Sequence, residues 1–136
     1  MRHSSTWQSL LNCDLVLMES CLKNQAVLDI SGCYAKALQG EFGLCVGIEI
    51  QFETFNQVSL NRACLLLAAS DETLDQTILP DSERWFLWQR YHEELSTDEL
   101  TQHLETHHLL AKYISSGLCQ STIQNREDII ELINLV

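Results

Sequence analysis

The chain has 136 residues, of which 46% are hydrophobic and 20% are charged, which is the composition of an ordinary globular protein. Nineteen acidic residues against eight basic ones give a formal net charge of −11. Phosphate backbones and anionic lipid headgroups repel such a surface. The charge therefore argues against nucleic-acid binding and favours a basic partner protein, or a basic patch on one.

Residues 1–136 are expected to form a single domain, because the chain is short and its one Pro and five Gly form no linker-like tract. The N-terminus lacks a signal-peptide pattern, and no apolar run is long enough to span a membrane. The six cysteines lie mostly in apolar segments and form no CxxC motif. We therefore expect reduced cysteines that act as small core side chains of a cytoplasmic protein.

The first predicted element is an amphipathic helix over residues 6–23. Apolar side chains recur there at helical spacing, including Trp7, Leu10 and Met18, and candidate N-cap residues precede them.

Three strands are predicted next. Residues 26–30 end in a turn at 31–32, and residues 34–39 form a weaker strand. Residues 44–53 alternate between apolar and largely polar side chains. Such alternation is typical of an antiparallel sheet with one face in water.

A helix over residues 57–70 and a hairpin follow. The helix is rich in Ala and Leu and is apolar nearly all round, so we expect it to be deeply buried or to lie at a subunit interface. Residues 75–79 and the aromatic-rich residues 84–91 are predicted to be the two strands of the hairpin, with the turn at Pro80.

The last clear element is a helix that begins at the capping box formed by Ser96 and Glu99 and runs to about Ser116. A further short helix is predicted over residues 125–134. The predicted fold class is therefore α+β: helix, three antiparallel strands, helix, two-stranded hairpin, helix, with the helices packed on one sheet.

The aromatic strand suggests a binding surface. On a strand, Trp85 and Leu87 face one way while Phe86 and Trp88 face the other. One face must fill the core. The second aromatic pair is either covered, by the first helix or a second subunit, or exposed as an anchor for a partner protein.

No catalytic, cofactor-binding or metal-binding residues are predicted. The sequence contains no Gly-rich phosphate loop, no HExxH and no GxSxG, and no local stretch pairs a Cys nucleophile with a His base. His103 and His107 share a helix face, but no second pair of ligands completes a zinc site.

Four of the five histidines lie between residues 92 and 108. Since imidazole changes charge near neutral pH, we consider a pH-sensing role for His103, His107 and His108. The alternative is an ordinary polar helix face, with His107 at the edge of the core.

Parts of the chain resemble the small gatekeeper-associated proteins of type III secretion, called SpiC or SsaB in one system, SepD in another and EsaB in a third. The resemblance lies in the hydrophobic pattern and in residues 48–52, 65–71, 85–91 and 96–114, and it spans roughly residues 26–115. It implies a type III secretion chaperone-like fold without catalytic residues.

The resemblance further implies a bacterial cytoplasmic protein at the cytoplasmic face of the secretion apparatus, although export of the chain itself is compatible with it. The implied partners are a type III gatekeeper protein and a second small secretion-control protein. Together they restrain effector export until the translocators have been secreted. The alternative is a homodimeric secretion chaperone for an effector or translocator. The candidate partner-binding residues are Trp85, Trp88, Tyr91, Phe52 and Leu66.

Overall fold

The computed structural model describes residues 8–41, 43–51, 57–69, 76–92 and 94–116. The strands are β1 (Val16–Leu22), β2 (Gln25–Ile30), β3 (Cys33–Gly40), β4 (Gly43–Ile50), β5 (Gln76–Asp81) and β6 (Arg84–Tyr91). The helical segments are α1 (residues 8–11), α2 (Gln57–Ala68) and α3 (Thr97–Ser115). The strands form one antiparallel sheet in the order β1-β2-β3-β4-β6-β5.

The predicted helix over residues 6–23 is wrong. Of its described residues only 8–11 are helical, and Val16–Leu22 forms edge strand β1, which pairs with β2. The spacing of apolar residues in this segment is compatible with either a helix or a strand. The strand is favoured because it forms hydrogen bonds with the backbone N–H and C=O groups along the edge of β2, which a helix could not do. The sheet therefore has six strands, four of them before α2. The predicted α+β order, and the chaperone-like fold implied by the resemblance, do not hold.

The predicted hairpin after α2 is present, but the predicted position of its turn, at Pro80, is wrong. Pro80 lies inside β5, opposite Trp85, and the chain turns at Ser82 and Glu83, which both have positive φ. Proline is tolerated in β5 because this is an edge strand. The helix predicted over residues 125–134 lies outside the described residues.

The helices cover one side of the sheet, which we call the helix face. α3 packs on β4 and β6, and α2 packs on β5. At the centre of this core are side chains with no exposed surface: Leu28, Ala35, Ala37, Leu44, Val46, Ile48, Leu87, Leu100 and Leu104. The α1 segment joins the same layer, since Leu10 is fully buried and the Thr101 hydroxyl lies 3.3 Å from the Cys13 sulfur.

Both ends of α3 are fixed by hydrogen bonds. The Ser96 hydroxyl oxygen accepts from the backbone N–H of Glu99 at 3.2 Å, as the capping box predicts. At the other end, the backbone N–H of Gln51 donates to the Ser115 hydroxyl at 3.0 Å. The first bond caps the helix, and the second ties its C-terminal end to the residue that follows β4. Among the described residues, no helix is long and apolar enough to cross a membrane.

Candidate functional site

The candidate site is the second side of the sheet, which we call the open face. Strand alternation points every other side chain away from the helix face. No residue of α2 or α3 lines either of the two grooves on this side. The open face carries Leu17, Leu22, Val27, Tyr34, Lys36, Leu38, Cys45, Gly47, Glu49, Thr77, Leu79, Asp81, Phe86, Trp88 and Arg90.

An aromatic cluster lies at the centre of the open face. The Phe86 ring centroid is 6.0 Å from those of Tyr34 and Trp88, and the Lys36 ammonium lies 5.3 Å from it. Phe86 is fully buried, and no described residue of α2 or α3 lines the grooves on this side. The rings of Tyr34 and Trp88 and the ammonium group of Lys36 lie around it and contribute to this burial.

Gly47 of β4 lies opposite Trp88 of β6. Because Gly47 has no side chain, the indole ring has room to pack there. A Cβ atom at position 47 would stand 2.7 Å from two atoms of the indole ring, closer than packed carbon atoms approach. The indole therefore lies against the backbone of β4. A glycine inside a strand is the sequence signal for such a close approach.

Two carboxylates of the open face, those of Asp81 and Glu49, are in ion pairs, and a third, Asp29 of β2, accepts a hydrogen bond from the backbone N–H of Gly32 at 2.8 Å. Lys36 of β3 reaches across the sheet to form an ion pair with Asp81 of β5, and this hydrogen bond lowers the pKa of the Asp81 carboxyl. Arg84 lies 3.3 Å from Glu49 and its guanidinium is 4.7 Å from the Tyr34 ring centroid. The paired charges leave apolar side chains as the main exposed groups of this face.

Two grooves lie on the open face, one on either side of Trp88. The first, about 560 Å³, runs over β1, β2 and β3, and the second, about 500 Å³, runs over β4, β6 and β5. Leu38 and Trp88 line both grooves. Leu22 is 75% exposed, Leu79 49% and Leu38 40%. Exposed leucines beside grooves are typical of a surface that another protein covers.

Of the four predicted partner-binding residues that the structure describes, one lies on the open face. Trp88 is there, half-buried. Trp85 and Tyr91 point to the helix face, where Trp85 packs against the core and Tyr91 is buried. Leu66 is half-buried on α2, and Phe52 lies outside the described residues.

The three histidines proposed as a pH sensor have different surroundings. His107 is fully buried, His103 is exposed, and His108 is half-buried. Burial lowers the pKa of His107 to about 4, and burial together with Lys112 lowers the pKa of His108. His107 is therefore neutral near pH 7. The sensing role considered for His103, His107 and His108 stays a prediction.

His107 joins α3 to β6 through both ring nitrogens. Nε2 is 2.7 Å from the Leu87 carbonyl oxygen, which can only accept, so Nε2 carries the proton. Nδ1, 2.8 Å away, then accepts from the Tyr91 hydroxyl. Burial raises the pKa of Tyr91, so its hydroxyl keeps the proton that it donates. This arrangement is a structural link between helix and sheet.

The remaining reactive side chains are separate from one another. Among the residues that the structure describes, no three His, Cys, Asp or Glu side chains are placed to hold a metal ion. The five described cysteines are free thiols, and burial raises the pKa of Cys13, Cys33 and Cys45.

Comparison with known proteins finds no family model, no curated protein and no solved structure that matches the chain. The function is therefore proposed from the geometry of the open face and from the resemblance in sequence. Sequence reasoning missed the aromatic and charged residues that complete this face, namely Tyr34, Lys36 and Asp81, and the leucines at its grooves.

Proposed function

We propose that the chain works by binding other proteins through the open face, and that the complex it joins is the gatekeeper complex of a type III secretion system. In this role it restrains effector export until the translocators have been secreted. The observation that carries the binding proposal is an ordered apolar surface, centred on Phe86 and Trp88, with exposed leucines on either side.

The energetics favour covering this surface. Transfer of a leucine side chain from water to an apolar interface contributes roughly 1.5–3 kcal/mol. Leu22, Leu38 and Leu79 together therefore supply several kcal/mol to a complex that buries them. Trp88 is already packed on Gly47, so binding would order it little further and would lose little side-chain entropy.

The assignment to type III secretion is supported by the resemblance of residues 26–115 to the gatekeeper-associated proteins. With it come the proposed partners, a gatekeeper protein and a second small secretion-control protein. The proposed location, which the same resemblance implies, is the bacterial cytoplasm beside the secretion apparatus.

A secretion assay tests this proposal. The chain is deleted in the bacterium that encodes it, and exported effectors and translocators are followed over time. We expect deletion to release effectors before translocators. Wild type and Leu109→Ser, which alters a leucine 64% exposed on α3, should restore the order, whereas Leu38→Ser/Leu79→Ser should not. An unchanged export order after deletion would rule out the secretion role.

A second candidate is the homodimeric secretion chaperone, and the outer side of α2 favours it. Val58 and Leu65 are more than half exposed there, while Ser59, Ala63 and Leu67 face the core. Sedimentation of the wild type and of Leu65→Ser tests this candidate. A dimer that Leu65→Ser converts to a monomer would support it, and a monomeric wild type would exclude it.

A further inference from the structure

A single row of side chains crosses five strands at one end of the open face. Strand register places Leu22 opposite Gln25, Gln25 opposite Leu38, Leu38 opposite Cys45, and Cys45 opposite Arg90. We call these five residues the cross-strand row. With neighbouring strands about 4.8 Å apart, the row spans about 19 Å.

The two grooves meet along this row. Leu22, Gln25 and Leu38 line the first groove, and Leu38, Cys45 and Arg90 line the second. The row therefore crosses both grooves, which adjoin at Leu38, and we call the two grooves together the channel. Its lining is mixed polar and apolar over β1, β2 and β3 and mainly apolar over β4, β6 and β5.

A basic residue lies at each end of the row. Lys23 is exposed in the turn between β1 and β2, and Arg90 is exposed on β6. Neither forms an ion pair with another residue in the described ranges. The row itself contains no carboxylate. Elsewhere on the face Asp81 and Glu49 are bound to Lys36 and Arg84, and Asp29 accepts from the Gly32 N–H. The exposed Glu41, in the turn after β3, lies beside the middle of the row and not at its ends.

We propose that the cross-strand row is the docking site for an amphipathic helix of a partner protein, with an apolar stripe toward the row and carboxylates near both ends. This inference rests on the proposed function and names the chemistry of the partner at that same face. At 1.5 Å per residue, a helix of about 13 residues spans the row.

A helix fits this channel better than an extended peptide. The channel runs across the strands, and the backbone groups beneath it are already paired within the sheet. An extended peptide would find no backbone partners there, whereas a helix satisfies its own.

The two basic residues at the ends of the row favour an acidic helix, even though the chain as a whole has a formal net charge of −11. At 0.1 M salt the distant acidic groups are screened beyond about 10 Å, whereas a carboxylate in contact with Lys23 or Arg90 is screened little. A second copy fits poorly. Two rows stacked face to face about a two-fold axis would bring cation against cation at the ends in either direction.

The test uses two synthetic helical peptides of about 14 residues, matched in their leucine stripe. One carries Glu at both ends and the other carries Lys at the same positions. Titration calorimetry in 0.1 M salt measures their affinity for the full chain. We expect the Glu peptide to bind about ten-fold more tightly, because two exposed ion pairs replace two repulsions.

Variants of the full chain locate the site. Leu22→Ser and Leu38→Ser should each weaken the Glu peptide about ten-fold, while Leu109→Ser on α3 should leave its affinity unchanged. Arg90→Glu should remove the preference for Glu over Lys. Circular dichroism checks that each variant keeps its fold.

Three outcomes overturn the inference: equal or tighter binding of the Lys peptide, no measurable binding of either peptide, or loss of binding in Leu109→Ser but not in Leu38→Ser. A wild-type dimer that Leu22→Ser dissociates would assign the row to a second copy instead. Export order in the secretion assay is read independently, so failure here and failure of the secretion role can be told apart.

Discussion

His107 is a titratable group at the centre of the contact between α3 and β6. Its imidazole has no exposed surface, and both nitrogens are engaged, by the Leu87 carbonyl and the Tyr91 hydroxyl. Desolvation therefore holds its pKa near 4 in the folded chain, against 6.5 when unfolded. Between these two values the unfolded state binds more protons, so stability that is present above pH 6.5 is lost as the pH falls through 4.

The first prediction concerns this pH dependence. We expect His107 to account for a loss of about 2 kcal/mol in the free energy of unfolding between pH 7 and pH 5. Urea unfolding of His107→Gln should show a pH dependence flatter by that amount, although the variant is less stable at pH 7. Gln102→Ala, at an exposed site on the same helix that carries no titratable group, is the control and should follow the wild type. Identical pH slopes for wild type and His107→Gln would refute the role of this imidazole.

The second prediction concerns Gly47. A methyl group at position 47 would stand 2.7 Å from atoms of the Trp88 indole. Gly47→Ala should therefore lower the free energy of unfolding by about 1–3 kcal/mol. It should also change the near-ultraviolet circular dichroism of the indole. In a Trp88→Ala background the same substitution should lower the free energy of unfolding much less. Gly40→Ala, where nothing lies within 4 Å of the new methyl group, is the matched control. Equal costs of Gly47→Ala in both backgrounds would show that the contact does not exist.

At the scale of elements, β1 is an edge strand whose sequence pattern wrongly predicted a helix. Its side chains are almost all exposed after Val16, and an irregularity between Met18 and Ser20 interrupts its register. Such irregularities are common at sheet edges, where they hinder pairing with another chain. Only the pairing with β2 selects the strand.

Amide exchange tests the third prediction, that residues 16–22 form an edge strand. In an antiparallel edge strand, alternate N–H groups face the neighbouring strand and the others face water. Exchange followed by NMR should therefore alternate between protected and unprotected amides on each side of the irregularity between Met18 and Ser20, and β3 should be protected throughout as an internal strand. Continuous protection over Val16–Leu22 would indicate a helix and contradict the six-stranded sheet.

Local patterns predicted the elements whose signals are local. Alternation over residues 44–50 gave β4, and the capping box at Ser96 gave the start of α3. The alternation of residues 85–88 correctly divided the aromatic side chains between two faces. The Lys36–Asp81 pair and the Tyr34–Phe86 contact could not be predicted in this way, because each joins residues far apart in the chain that only the sheet register brings together.

At the scale of the molecule, the described helices cover one side of the sheet, and the described residues of the other side form a surface of exposed leucines around an aromatic cluster. Lys36 and Asp81 tie β3 to β5 across this surface, so its centre is ordered before any partner arrives. Preorganisation of this kind lowers the entropic cost of association. The open face is therefore the part of the described molecule best suited to bind another protein.

This claim is tested most directly by measuring how tightly two matched double variants bind the proposed partners, the purified gatekeeper-complex proteins. Leu38→Ser/Leu79→Ser alters the open face, and Leu65→Ser/Leu109→Ser alters leucines of similar exposure on α2 and α3. We expect the first variant to bind about 100-fold more weakly than wild type and the second to bind like wild type. Full affinity in the first variant together with loss in the second would show that the chain binds through its helices instead.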